Sequence, residues 1–204
     1  MRFVLASASP ARLAVLRAAG IDPSVVVSGV DEDAVAASLT DPSPAELVTA
    51  LAVAKAETVL DTISDEDAVV VGCDSMLFIG GELVGKPGDP EVARKRWAQM
   101  TGGTGELLTG HVVLRVEGGR RTGRAAGHQT TTVRFADPSP AELDAYIATG
   151  EPLNVAGAFT LDGLGGWFVE GIDGDPSSVI GISLPLTRRL LAEVGVSVVN
   201  LWRP

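Results

Sequence analysis

The stretch AVVVGCDS, residues 68–75, decides the fold class that we predict for this chain. Its first six residues are apolar or small, which is typical of a strand buried on both faces of a parallel or mixed sheet. The run then stops on Asp74 and Ser75. Because α/β proteins bind ligands at the carboxyl ends of such strands, we expect Asp74 and Ser75 at a ligand site.

The N-terminal stretch FVLASASPAR, residues 3–12, follows the same pattern. Its apolar strand runs into three polar residues, which are Ser7, Ser9 and Arg12. Ser9 followed by Pro10 is typical of a helix N-cap with proline at the first helical position. Hydroxyl groups and an arginine, together with the carboxylate of Asp74 and the cation of Lys86, suit a metal-bound polyphosphate. These residues favour a phosphate-handling enzyme.

Strands and helices alternate along the chain, which predicts an α/β fold with a mixed sheet flanked by helices. Besides the helix that begins at Pro10, the predicted helices are residues 44–60, 90–100, 140–149 and 184–194. The further predicted strands are residues 24–28, 76–79, 82–84, 107–117, 122–135, 165–172 and 196–201. No linker or low-complexity stretch interrupts the pattern, so we expect residues 1–204 to form a single domain.

The heptapeptide DPSPAEL occurs twice, at residues 41–47 and 137–143. A duplication is one interpretation, but Ser-Pro-Ala-Glu is also a capping box with proline at the first helical position. Because the two halves of the chain share no other similarity, we interpret both copies as helix starts.

The composition excludes several classes of protein. Hydrophobic residues make up 46% of the chain and charged residues 21%, which predicts a folded core. A net charge of −10 argues against a broad nucleic-acid surface. No apolar stretch is long enough to span a bilayer, and the run after Arg2 is too short for a signal peptide. With a single cysteine and no intrachain disulfide, we expect a cytoplasmic protein with no nucleic-acid or membrane partner.

The string GGELVGK, residues 80–86, has the spacing of a Walker A loop, but Pro87 follows in place of the magnesium-binding Ser or Thr. The segment also lies in a predicted strand hairpin, so we reject the P-loop interpretation. Lys86 remains as a point charge that a phosphate can use, although a lone turn lysine is more often only solvated.

Lys55 follows Leu47 and Leu51 at four-residue steps and therefore lies on the apolar stripe of its predicted helix. Its ammonium group either extends to solvent along that stripe or points into a cleft. We expect Lys55→Met to leave the fold intact or slightly stabilised, because it removes a cation from an apolar surface.

Two acidic residues each have a structural and a functional interpretation. Asp74 either caps a turn or takes part in catalysis, and the Asp-x-Asp nucleophile pair is missing because Met76 stands at the second position. Glu32, between Asp31 and Asp33, either belongs to a solvated acidic turn or holds magnesium together with Asp74.

Nine short segments are spread over nearly the whole chain. They are LASASPAR (5–12), VDED (30–33), AVAKA (52–56), VGCDS (71–75), GKP (85–87), LLTG (107–110), TGEP (149–152), AGAF (156–159) and GDPSSVIG (174–181). In this order they resemble the Maf family, nucleoside triphosphate pyrophosphatases that were first named for a link to septum formation.

The resemblance implies a two-lobed α/β fold, a mixed sheet flanked by helices, similar to the inosine triphosphate pyrophosphatases. Such an enzyme binds a nucleoside triphosphate in a deep cleft and cuts between the α and β phosphates, which releases a monophosphate and pyrophosphate. The implied cofactor is a divalent metal cation, Mg²⁺ or Mn²⁺. A homodimer is one oligomeric state that the sequence leaves open.

The family's site residues correspond to residues of this chain. The catalytic aspartate corresponds to Asp74 and the metal-associated glutamate to Glu32, so these two are the predicted metal ligands and we count both as catalytic. The phosphate-binding residues correspond to Ser9, Arg12, Lys55 and Lys86, of which we count the two lysines as catalytic. Four further residues complete the predicted substrate site, namely Ser7, Ser75, Thr109 and Phe159.

The chain departs from the family pattern where the base would bind. Members that act on dTTP and UTP tend to read Asp-Lys-Ala-Gly-Ala-Tyr-Gly-Ile-Gln, whereas residues 154–162 read NVAGAFTLD. The following Gly-Leu-Gly resembles the branch that acts on 7-methyl-GTP. Phe159 offers an apolar face for stacking, and Asp162 either accepts hydrogen bonds from a guanine edge or belongs to a turn. We expect a purine triphosphate, ordinary or modified, to be used at least as well as dTTP or UTP.

The alternative function is a non-catalytic, nucleotide-binding regulator of cell division or septum formation. The presence of both Glu32 and Asp74 argues against this alternative, because a protein that only binds nucleotides needs neither carboxylate.

Overall fold

The computed structural model describes residues 1–63 and 67–203, which contain seven strands and seven α-helices. The strands are β1 (Arg2–Leu5), β2 (Ser24–Val25), β3 (Asp67–Ile79), β4 (Glu82–Val84), β5 (Thr104–Glu117), β6 (Arg120–Phe135) and β7 (Val169–Asp173). The helices are α1 (Pro10–Ala18), α2 (Glu32–Ala37), α3 (Pro44–Leu60), α4 (Pro90–Met100), α5 (Pro140–Ala148), α6 (Pro176–Ile180) and α7 (Leu184–Glu193). Short 3₁₀ turns lie at Glu151–Asn154, Ala156–Ala158, Leu164–Phe168 and Val198–Leu201.

The strands form a mixed sheet in the order β2-β1-β3-β5-β6-β7, with β4 paired to β3. Strand β1 runs parallel to both β2 and β3, so that Leu5 pairs with Val25 on one side and with Val71 on the other. Strands β4 and β7 are antiparallel to β3 and β6, respectively. The predicted mixed α/β fold is confirmed.

The chain divides into two compact units. The first comprises Met1–Asp74, Thr109–Gln129 and Gly181–Pro204, and the second comprises Ser75–Leu108 and Thr130–Ile180. That residues 1–204 form a single two-lobed domain stays a prediction.

In the first unit, β1 and β3 are buried on both faces, as the apolar run 68–73 predicted. On one face Leu5 and Val71 pack in a cluster with residues of α1 and α7. On the other face Val70 packs in a cluster with Ala56 and other residues of α3. Two covered faces explain why this strand shows no alternation of polar and apolar residues.

Helix α3 lies directly against the sheet because two glycines face it. A Cβ atom on Gly72 would lie 2.2 Å from the carbonyl oxygen of Ala52, and one on Gly110 would lie 2.1 Å from that of Val48. Any side chain at either position would push α3 away from β3 and β5. The glycines therefore set the distance between the helix that carries Lys55 and the strand that carries Asp74.

The core of the second unit is aromatic. Trp97 contacts three rings edge to face, with centroid distances of 5.8 Å to Phe135, 6.0 Å to Tyr146 and 5.8 Å to Phe168. Its indole Nε1 donates a hydrogen bond of 2.8 Å to the carbonyl oxygen of Ala158. Trp97 thereby fixes the chain near the 3₁₀ turn at Ala156–Ala158, within the segment predicted to meet the base.

Both copies of DPSPAEL begin helices with complete capping boxes. The Ser43 hydroxyl accepts a hydrogen bond from the backbone of Glu46, and the backbone of Ser43 donates one to the Glu46 carboxylate. Ser139 and Glu142 form the same pair of hydrogen bonds at α5. The interpretation of the repeat as two helix starts is confirmed.

Several predicted strand boundaries are wrong. The predicted hairpin of residues 76–79 with 82–84 is confirmed, but the predicted strands 68–73 and 76–79 are one continuous strand, β3, with no break at Asp74. Residues 196–201 form no strand, since Leu201 is buried and Val198–Leu201 form a 3₁₀ turn. Residues 165–172 are half 3₁₀ turn and half β7, and the strand at 24–28 is only two residues long.

Two short helices, α2 and α6, were not predicted. The segment around Glu32 is not an acidic turn but the first turn of the short helix α2, which is capped by Asp31. Among the described residues, no helix has the length and apolarity that crossing a membrane requires.

Candidate active site

Three predicted site residues meet in the first unit around one ammonium group. Lys55 Nζ lies 2.5 Å from Oδ1 of Asp74 and 2.7 Å from Oε1 of Glu32. The side chains of Lys55 and Asp74 are 12% and 8% exposed, whereas that of Glu32 is 51% exposed. One cation therefore joins a buried carboxylate to a carboxylate that faces solvent.

The positions of these three side chains follow from their elements. Lys55 lies on the face of α3 that packs against the sheet, and Asp74 lies in the middle of β3. Glu32 is the first residue of α2, where Oδ1 of Asp31 accepts a hydrogen bond of 3.0 Å from the backbone of Ala34. Of the two alternatives for Lys55, the structure places its ammonium group on Asp74 rather than free in solvent.

A second group of predicted residues lies where β1 leads into α1. Ser7 Oγ accepts hydrogen bonds from the backbone of Ser9 at 3.2 Å and from Arg12 Nη1 at 2.9 Å. Ser9 Oγ caps α1 through the backbone N–H of Arg12 at 3.4 Å. Two hydroxyl groups and a guanidinium group thus lie within one turn of chain, a set of groups that can bind phosphate oxygens.

Gly181 holds the guanidinium group of Arg12 and was not among the predicted site residues. Arg12 Nε donates a hydrogen bond of 2.7 Å to the carbonyl oxygen of Gly181. The φ of Gly181 is 132°, and a Cβ atom there would lie 3.2 Å from the Arg12 side chain. The sequence shows Gly181 only as the last residue of the segment GDPSSVIG. Because a glycine has no side chain that could bind a ligand, nothing in the sequence predicted its contact with Arg12.

Cys73 directly precedes Asp74 in β3 and is fully buried. Burial raises the pKa of its thiol to about 12, while Arg12 and Lys55 act to lower that pKa and Asp74 acts to raise it. The thiol is therefore protonated at neutral pH. The backbone N–H of Ala6 donates a hydrogen bond of 2.9 Å to the carbonyl oxygen of Val71, so the end of β1 that leads to Ser7 lies beside the part of β3 that leads to Asp74.

The other predicted residue of the first unit, Thr109, is fully buried in β5. Its carbonyl oxygen lies 3.0 Å from Nδ1 of the buried His111, whose Nε2 accepts a hydrogen bond of 2.8 Å from the backbone of Ser183. Thr109 therefore lies beside the strand residue that anchors the start of α7.

Three predicted residues belong to the second unit. Ser75 follows Asp74 in β3, and Lys86 is exposed just after β4. Phe159 is only 4% exposed, and its ring packs edge to face on Phe135 at 5.1 Å. In this structure the ring of Phe159 contributes to the core of the unit and presents no exposed face to a base.

The loop that carries Lys86 is held within its own unit. The carbonyl oxygen of Gly85 accepts hydrogen bonds from Arg96 and, at 3.2 Å, from the backbone of Gly157. The backbone of Gly88 donates to the carbonyl oxygen of Leu153 at 2.9 Å. These contacts fix the backbone on both sides of Lys86 while its side chain stays in solvent.

Hydroxyl and guanidinium groups at the carboxyl end of a strand, in a mixed α/β fold, are a common setting for ligands that carry phosphate. Residues 2–194 match the family described as Maf-like protein, so the chain belongs to the Maf-like family, as its segments predicted.

Several relatives align over almost their whole length. A protein of Saccharopolyspora erythraea is 72% identical over all of this chain and 98% of its own length. Proteins of Nocardia farcinica and Mycolicibacterium gilvum are 66% and 58% identical over 98% of this chain, and over 96% and 98% of their own lengths. Each of the three is named nucleoside triphosphate pyrophosphatase.

Proposed function

We propose that this chain is a nucleoside triphosphate pyrophosphatase, a hydrolase that cuts the anhydride between the α and β phosphates and releases a monophosphate and pyrophosphate. The observation that carries the proposal is the buried Asp74 carboxylate on the ammonium group of Lys55. The names of the relatives support the same reaction.

Asp74 is the residue that we assign to water activation. Its carboxylate is buried, so it can hold a water molecule in one orientation and accept a proton as that water attacks the α phosphorus. Lys55 keeps this carboxylate in place and contributes positive charge beside the phosphates. The proton passes to Asp74, the phosphorus–oxygen bond breaks, and the electron pair leaves with the pyrophosphate.

The phosphate groups need cations to offset a net charge of −10 on the chain. Arg12 with Ser7 and Ser9 offers one such group of donors, and the exposed Lys86 is a further cation. We assign both to the triphosphate, since an arginine or lysine that meets a phosphate oxygen forms a charge-assisted hydrogen bond. Because these cations offset charge on the phosphates, the net negative charge of the whole chain does not prevent it from binding a triphosphate.

A divalent metal fits the two carboxylates of the site. Glu32 and Asp74 contact the same nitrogen, so their oxygens are close together, and Mg²⁺ commonly uses one or two carboxylates plus substrate phosphates. Within residues 1–63 and 67–203 there is no group of three His, Cys, Asp or Glu residues that could hold a metal without such help. When bound, Mg²⁺ or Mn²⁺ would neutralise charge that develops on the phosphates.

The base that we propose is a purine, ordinary or modified as in 7-methyl-GTP. The segment 154–165 lacks the lysine, tyrosine and glutamine of the pyrimidine branch, and Asp162 is exposed within it, where its carboxylate can accept hydrogen bonds from a guanine edge. Because the Phe159 ring is buried, we assign selectivity to Asp162 and its loop rather than to stacking on Phe159.

The test is pyrophosphate release from GTP, 7-methyl-GTP, ATP, dTTP and UTP with Mg²⁺. We expect turnover by the wild-type chain and a loss of about 10²–10⁴ in kcat for Asp74→Asn, because the substitution keeps the shape but removes the base. Asp61→Asn is the control, since Asp61 is exposed at the end of the same helix that carries Lys55. Nucleotide binding without any pyrophosphate release by the wild-type chain would favour the regulator of cell division instead.

A further inference from the structure

Glu151 lies at the start of the 3₁₀ turn that follows α5, and its carboxylate faces a loop of the same unit. Oε1 accepts hydrogen bonds from the Thr160 hydroxyl at 2.5 Å and from the backbone of Gly165 at 3.1 Å. Oε2 accepts one from the backbone of Leu164 at 3.2 Å. One carboxylate thus binds both ends of the segment 160–165.

The segment has little other support. Residues 160–163 belong to no helix or strand, and the backbone of Gly165 also donates to the Thr160 hydroxyl at 3.1 Å. A short polar loop that lacks regular hydrogen bonds is held by whatever accepts its N–H groups. Here that acceptor is the pair Glu151 and Thr160.

The glycines of the segment are needed for this arrangement. A Cβ atom on Gly163 would lie 2.8 Å from Oε2 of Glu151. One on Gly165 would lie 2.5 Å from the hydroxyl of Tyr146 and 2.6 Å from the backbone nitrogen of Thr160. The loop backbone therefore lies directly on the Glu151 carboxylate, with no space for a side chain between them.

The same hydrogen bonds also favour the ionised form of the Glu151 carboxyl group. Burial acts to raise the pKa of its carboxyl group, but the hydrogen bonds from Thr160, Gly165 and Leu164 outweigh burial and lower that pKa below its usual range. The carboxylate is therefore ionised at neutral pH, which strengthens each of these hydrogen bonds.

Asp162 lies at the exposed centre of this loop. We propose that Glu151 is a positioning residue for base selectivity: it holds the loop 160–165 so that Asp162 is presented to the base in one place. This inference rests on the proposed function, because it assumes that Asp162 meets the base of a triphosphate. Glu151 acts only through the loop and does not touch the substrate.

The experiment compares kcat/KM for GTP and 7-methyl-GTP with kcat/KM for dTTP and UTP in three proteins. Glu151→Gln keeps the shape of the side chain but places an NH₂ group against the hydroxyl and N–H donors of the loop, which weakens the hold on the loop. We therefore expect the purine-to-pyrimidine ratio of kcat/KM to fall about fivefold or more. The change should come from a higher KM for purines, with kcat for dTTP preserved. Thr160→Val should lower the ratio in the same direction, and it provides a second measurement if Glu151→Gln folds poorly.

Glu142→Gln is the matched control. Glu142 also accepts two hydrogen bonds, from the backbone and hydroxyl of Ser139, in the same unit but at the start of α5. The variant Glu142→Gln should lose stability as Glu151→Gln does, but its purine-to-pyrimidine ratio of kcat/KM should stay that of the wild-type chain. Hydrogen exchange of peptides that cover residues 160–165 should accelerate in Glu151→Gln and not in Glu142→Gln.

The outcomes separate the two proposals. A wild-type chain that releases no pyrophosphate overturns the proposed function and the role of Glu151 with it, and an active wild-type chain that prefers pyrimidines overturns only the purine assignment. If the wild-type chain is active and the Glu151→Gln and Thr160→Val ratios both stay within about twofold of its ratio, the positioning role is overturned and the pyrophosphatase proposal stands.

Discussion

Lys55→Met is the substitution whose expected effect changes most once the structure is known. From the apolar stripe alone, removal of the cation is neutral or stabilising. In the structure Lys55 is the partner of Asp74 at 2.5 Å, and both side chains are largely buried. The substitution keeps the aliphatic stem but leaves a buried carboxylate without its ammonium group, so we expect the protein to lose stability.

The size of this loss follows from the burial of the pair. Removal of one partner from a buried ion pair costs about 3–5 kcal/mol. The contact with Glu32 adds little, because that side chain is half exposed. Taking the lower end, about 3 kcal/mol corresponds to a fall in Tm of roughly 6–12 °C for a chain of this length.

The assay is thermal unfolding without nucleotide and with a chelator present. Lys95→Met is the matched control, because Lys95 is exposed on α4 and its replacement should change the free energy of unfolding by no more than about 0.5 kcal/mol. In the double mutant with Asp74→Asn the loss should be smaller than the sum of the single losses, by about 1 kcal/mol or more. A fall in Tm for Lys55→Met no larger than that of Lys95→Met would refute the reasoning.

Three further predictions concern Glu32, Lys86 and the capping boxes. Glu32→Gln should shift the Mg²⁺ titration of activity to higher concentration with little loss of stability, and an unchanged titration would show that Glu32 is only a surface acid. Lys86→Met should raise KM about tenfold or more at unchanged Tm, because the side chain is exposed; unchanged KM in steady-state kinetics would remove Lys86 from the site. The capping boxes lower the pKa of Glu46 and Glu142 below the ordinary value of 4.5, so their contribution is complete above pH 4.5 and is lost as pH falls through the lowered values. Ser139→Ala should therefore lose stability at neutral pH and weaken the acid dependence of unfolding; acid unfolding that matches wild type would contradict this.

The sequence predicted local structure correctly wherever residues close together in the chain determine it. Ser-Pro-Ala-Glu predicts the start of α3 and α5 because a cap and its partner lie three residues apart on one helix turn. The apolar run 68–73 predicts a strand covered on both faces, since a fully apolar pattern leaves no face for water. The family was equally readable, because its segments are spread over the whole chain.

The strand ends were not readable, because pairing partners decide them. The polar residues Asp74 and Ser75 suggested a break between the strands 68–73 and 76–79, but β3 continues through both residues into the predicted hairpin with β4. The opposite happened at residues 196–201, where a β-like pattern forms a 3₁₀ turn since Leu201 packs against the core instead of entering the sheet.

The contacts of the site depended on tertiary structure in the same way. The stripe on α3 placed Lys55 beside apolar residues, but only the packing of α3 on Gly72 and Gly110 brings its ammonium group to Asp74. Gly181 accepts a hydrogen bond from Arg12, and Glu151 accepts one from the loop 160–165. In both cases the residue types in the sequence do not show which partner each residue will bind. The sequence gives the chemical type of each side chain. The atoms that the side chain contacts from distant parts of the chain depend on how closely the backbones pack, which only the tertiary structure shows.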